Sequence, residues 1–119
     1  MDKRLNQGIE LFNTRKFFES HEALEDLWRE GGTFADLYQG IIKAAAAFYH
    51  LKRGNFYGAK KKLSEGLIQL RPYGDTAQGI DLRSFVDDLE AALTHIIRTE
   101  AGEEPLDLDR IPQIHLDQE

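Results

Sequence analysis

His21 and Glu25 stand one helical turn apart, and an imidazole beside a carboxylate at that spacing has three uses. The two can share a metal ion, since imidazole plus carboxylate suits zinc, iron or manganese. The carboxylate can orient the imidazole for acid–base work. Or the pair can be a hydrogen-bonded network that fixes how helices pack. At about 100° per residue, His21, Glu25 and Trp28 fall within one arc and share it with Phe17 and Leu24. The pair is therefore expected on or beside an apolar face, where burial costs a few kcal/mol unless the groups are ligated or hydrogen-bonded. Trp28 is expected to be mostly buried there, with a partner for its indole N–H.

Two ligands do not make a metal site, and a catalytic zinc takes three from the protein. Candidates for the third are His50, His95 or another carboxylate. A narrow polar stripe of Gln39, Lys43, Ala46 and His50, at steps of four, three and four, favours His50. His21, Glu25 and His50 are thus the expected ligands of a divalent ion. Read as a small-ligand pocket instead, the set is His21, Glu25, Trp28, Gln39, Lys43, Tyr49 and His50, a few polar groups on apolar walls. Charge separates the versions. With Lys43 nearest, Glu25 is neutralised and a cation is repelled; with His50 nearest, two imidazoles and a carboxylate form a ligand set. His21-Glu22-x-x-Glu25 also mimics the H-E-x-x-H helix of zinc proteases, but Glu25 replaces the second His and no second-shell motif follows. Nothing in these residues names a substrate.

The elements that must position them are helical almost throughout. Leu5, Ile9 and Phe12 mark a first helix that breaks near Asn13-Thr14, and a second runs from about Lys16 to Glu30 and stops at Gly31-Gly32. The third, about Phe34 to Arg53, is apolar over most of its circumference, which predicts a central helix with the others around it. Its run Ala44 to Ala47 lets neighbouring backbones approach. Gly54-Asn55 ends it and caps a fourth helix with Phe56, Ala59, Leu63, Leu67 and Leu70 inward; Pro72 to Asp75 stops that one. After a loop, Asp81 is the expected N-cap of a fifth helix, and Leu106 to Leu116 read as an extended tail. The expectation is one all-α domain over residues 1–119, five helices with the tail from about 102 to 119.

Composition bounds the rest. The chain has 119 residues, 41% hydrophobic and 30% charged, enough for one core without staples. It has no cysteine, which excludes disulfides, thiolate zinc sites, iron–sulfur clusters and a cysteine nucleophile. Without a signal-peptide core or an apolar span of membrane length, a soluble cytoplasmic protein is expected. The net charge of −6 opposes nucleic acid and anionic membranes, so neither is expected as a partner. Lys60-Lys61-Lys62 reads as a solvated face. A non-catalytic helical interaction module is the alternative function; the tail is expected to cover the domain's own core, and one reaching across to a second copy instead would help form a homodimer.

The segment Phe17 to Trp28 resembles the H-x-x-x-E-x-x-W signature of the bacterial and archaeal domain of unknown function 309 family. Gln39-Gly40-Ile41-Ile42-Lys43, Phe48-Tyr49-His50, Arg53-Gly54-Asn55 and Gly58-Ala59 are similar to its following block. The resemblance covers roughly Leu5 to Leu70. It implies a compact helical domain with one helix enclosed by the others, and a His/Glu motif that is a candidate metal site; it implies no reaction.

Overall fold

In the computed structural model, which describes residues 1–117, ten of the eighteen residues of α3 (Ala35–Lys52) are buried. That burial follows from its composition: Leu37, Ile41, Ala44 and Phe48 fill one side, while Tyr38, Ile42 and Ala45 extend the apolar surface round a second. An apolar helix of this kind is stable only when covered, and α2 (Phe17–Arg29) and α4 (Phe56–Leu70) cover it from either side. α1 (Lys3–Asn13) lies against α2, and α5 (Leu82–Glu100) lies against α4.

Small residues set the separations. A Cβ on Gly66 of α4 would lie 3.0 Å from the carbonyl oxygen of Gly40 on α3, so the two backbones nearly touch at that crossing. On α1, a Cβ at Gly8 would lie 2.5 Å from Leu24, and the buried Ser20 hydroxyl donates to the Gly8 carbonyl at 2.8 Å. Phe12 then ties three helices to its own. Its ring meets Phe17, Phe48 and Phe85 edge-on, at centroid distances of 5.2, 6.1 and 5.5 Å.

The helix ends follow local chemistry. Gly31 and Gly32 take φ of 76° and 88°, a region that favours glycine, and turn the chain from α2 into α3. Asn55 Oδ1 accepts from Gly58 N at 2.9 Å at the start of α4. Asp81 caps α5, accepting from the Ser84 hydroxyl and backbone N–H, and those bonds hold its carboxyl below the usual carboxylate range. α2 starts from Lys16 without a side-chain cap.

One stretch differs from expectation. The loop before α5 contains a two-residue antiparallel hairpin, β1 (Thr76–Ala77) and β2 (Ile80–Asp81), closed by Gln78 and Gly79 with φ of 51° and 77°. Two consecutive positive-φ residues match the twist of a tight hairpin, and strands this short leave no periodic signal in sequence. The tail covers the domain's own core, as expected. Ile111 and Ile114 are buried, Asn13 exchanges two hydrogen bonds with the Ile114 backbone at 2.9 and 2.7 Å, and Leu116 bridges to Ile80. The tail up to Asp117 thus lies on the domain's own core.

Candidate functional site

The site is built on the seam that α3 forms with its two covering helices. Gln39, Lys43, Ala46 and His50 are the half-exposed line of α3, the strip that neither α2 nor α4 closes over. A groove of about 210 Å³ opens along it, with Gln39, Ile42, Lys43 and Ala46 as floor, His21 and Trp28 on the α2 side and Lys62 on the α4 side. Of the seven residues expected from sequence to form a pocket, His21, Trp28, Gln39 and Lys43 line this groove.

Glu25, Tyr49 and His50 do not. Glu25 is half-exposed and pairs along its own helix with Arg29 at 2.7 Å; no hydrogen bond or ion pair among the described residues joins it to His21 or Lys43. Tyr49 faces Phe18 at the next turn of the seam, with ring centroids 6.3 Å apart. His50 belongs to the last turn of α3, where its Nδ1 lies 3.4 Å from Asn55 Nδ2 and its ring abuts Gly58. The reason is axial: His50 is four residues past Ala46, about 6 Å along the helix, where the first turn of α4 sits. His21, Glu25 and His50 therefore do not converge, and among the described residues no group of three or more His, Asp or Glu side chains is placed to hold a metal ion.

Burial round α2 follows the angle from Phe17. Measured round α2 from Phe17, Leu24, Ser20 and Leu27 lie about 20°, 60° and 80° to one side, whereas Trp28, His21 and Glu25 lie about 20°, 40° and 80° to the other. The buried residues are the first set. Trp28, nearest to Phe17, is largely buried against the core as expected, while His21 and Glu25 lie beside the apolar face, so neither carries the desolvation cost that a core position would impose.

Charge in the groove comes from α4. Glu65 lies 3.7 Å from the Lys43 ammonium and 3.5 Å from that of Lys62, so two cations share one carboxylate. Gln69 donates to Gln39 at the far end of the seam. Lys60 to Lys62 were expected as a solvated face, and the stripe on α3 does not by itself point to Lys62, Glu65 or Gln69 of α4. The signal was present: Lys62, Glu65 and Gln69 are spaced three and four apart, the same spacing as the polar stripe of α3.

Residue 95 is the buried histidine, 3% exposed. It is a tail clamp. His95 Nε2 accepts from the backbone N–H of Asp107 at 3.0 Å, and its Nδ1 faces Glu104 at 3.5 Å. That assigns it to holding the segment after α5, away from the groove.

Residues 5–62 match a family model described as Domain of unknown function (DUF309). The matched segment contains all the groove-lining side chains, and α5 and the tail lie outside it. An uncharacterized protein of Aquifex aeolicus (strain VF5) is 30% identical over 94 residues, which is 75% of this chain and 27% of that protein. The uncharacterized protein YpuF of Bacillus subtilis (strain 168) is 36% identical over 61 residues, 50% of this chain and 35% of that protein. The alignments thus span about a quarter to a third of the length of these curated relatives.

Proposed function

Residues 5–62 place this chain in the DUF309 family, which brings no reaction with it, and we propose that the groove between α2, α3 and α4 is a binding site for a small organic anion. The observation that carries this reading is the pair of lysines on one carboxylate. Lys43 and Lys62 together exceed Glu65 by one positive charge, at a groove whose other walls are Trp28, Ile42 and Ala46. An anion with an apolar body matches both features: its charge meets the surplus cation, and its body covers the indole. The volume, about 210 Å³, is below the roughly 300–1,000 Å³ of sites for drug-sized ligands, which restricts the occupant to a small metabolite. His21 and Gln39 supply hydrogen-bonding groups that fix orientation.

A divalent cation is the poorer fit. It would sit beside Lys43, and His21 has neither Glu25 nor His50 at hand to complete a ligand set.

Trp28 is the sole tryptophan and lines the groove, so it reports occupancy directly. A panel of aromatic and aliphatic carboxylates and phosphates is titrated while indole emission and melting temperature are followed. The expected result is a saturable emission change with at least one anion, accompanied by a rise in melting temperature. Lys43→Gln should weaken it about tenfold, and Ala46→Leu should abolish it by filling the floor. The reading fails if no anion changes Trp28 emission, or if both variants respond like the parent.

A further inference from the structure

A second surface lies end to end with the groove along the α2/α3 seam and shares no lining residue with it. It is an open groove of about 390 Å³, bounded by the α1–α2 turn, the first turn of α2 and the last turn of α3. Phe18 and Tyr49 stand in it, 55% and 38% exposed. Four cations surround them, Arg15, Lys16, Lys52 and Arg53, against one carboxylate, Glu19. Three of the four are held by rings or backbone. The Arg53 guanidinium lies 5.4 Å from the centre of the Tyr49 ring, the Lys52 ammonium lies 5.9 Å from that of Phe17, and Arg15 donates to the Pro112 carbonyl at 3.3 Å.

No ion pair among the described residues involves any of the four. Elsewhere on the molecule Arg4, Arg29, Lys43, Lys60, Lys62, Arg71 and Arg110 each reach a carboxylate. Lys3, Lys61, Arg83 and Arg98 are also outside the ion pairs among the described residues, but Arg15, Lys16, Lys52 and Arg53 share one groove, a local excess of positive charge in a chain with 21 acidic residues and 15 lysines and arginines.

We infer that this groove docks a short acidic peptide segment of a partner protein, one carrying an aromatic or aliphatic side chain beside its carboxylates. Charge complementarity selects an anion and steers its approach. The exposed ring pair offers an apolar platform of the kind that anchors interfaces, and the guanidinium over Tyr49, which donates from one nitrogen to the Tyr49 hydroxyl at 3.4 Å, has further N–H groups for a carboxylate. The size of the patch sets the length of the occupant. Beyond the groove, the exposed faces of α1 and α2 carry Glu10, Glu22 and Asp26, which repel an extended polyanion such as single-stranded nucleic acid and leave a short segment unaffected.

The full chain, immobilised, is used to select random peptides displayed on phage, in parallel with a Lys52→Glu/Arg53→Glu variant. Selected peptides, resynthesised, are titrated against both proteins, against Phe18→Ala/Tyr49→Ala, and in competition with oligothymidylate. All four residues are exposed, so melting curves should be unchanged; a charge-reversed variant that fails to fold is replaced by Lys52→Gln/Arg53→Gln. The expected outcome is enrichment of peptides combining Asp or Glu with an aromatic or aliphatic residue. They should bind the parent at least about tenfold more tightly than either double variant, and more weakly as salt is added. Failure to enrich, enrichment without acidic bias, equal binding to the charge-reversed protein, or displacement by oligothymidylate at lower concentration than the unlabelled peptide would each overturn the inference.

Discussion

The interior around Phe12 and the seam above α3 are built from the same helices and answer to different rules. Around Phe12, four buried rings from four helices pack together, three of them meeting Phe12 edge-on, and Gly8 lets α1 approach Leu24 of α2 closely. Along the seam, the polar groups are half-exposed, and their partners are long charged side chains with water as competitor. The interior therefore determines stability, while the seam is free to be shaped for binding. Substitutions should separate the two: interior changes move the melting temperature, and seam changes move affinity alone.

The largest effect is expected from Phe12→Ala. Removing a fully buried ring that contacts three others should cost about 3–5 kcal/mol in chemical denaturation. A cost under about 1 kcal/mol would mean that the aromatic cluster is not the centre of the core. Gly66→Ala should come next. Its new methyl meets the Gly40 carbonyl, so α3 and α4 must separate at about 1–3 kcal/mol, of which better helix propensity returns up to about 1. This variant sharpens the comparison, because it also shifts one wall of the groove and should change Trp28 emission, as Phe12→Ala should not. Glu25→Gln is expected to be the smallest, within about 0.5 kcal/mol, since Glu25 meets only an exposed arginine one turn away. A loss of about 2 kcal/mol or more would place Glu25 in a buried network and break the distinction drawn between the regions.

Much of the architecture could be read from residue spacing. α3 has apolar residues around most of its circumference, and that alone requires it to be enclosed. Gly31-Gly32, Gly54-Asn55 and Asp81 encode helix ends through conformations and hydrogen bonds that depend on one or two residues. The hairpin at Thr76 to Asp81 was not legible, because two residues per strand carry no period. The apolar residues of the tail marked it as a cover for the core, but its anchor was not legible, because Asn13 meets Ile114 about a hundred positions away.

The polar stripe of Gln39, Lys43, Ala46 and His50 was determined by sequence alone, since helical geometry fixes which side chains share a face. Which of them share a site was decided by tertiary structure. A stripe has direction but no partner until neighbouring helices choose their crossing points. Here Gly40 against Gly66 brings Lys62 and Glu65 of α4 beside Lys43, and the short turn at Gly54 brings the start of α4 against His50. The same crossings leave Glu25 at the edge of α2 with its own Arg29, and turn Tyr49 toward Phe18. Spacing along one helix reports a face, whereas a binding site is a property of at least two helices and the distance between them.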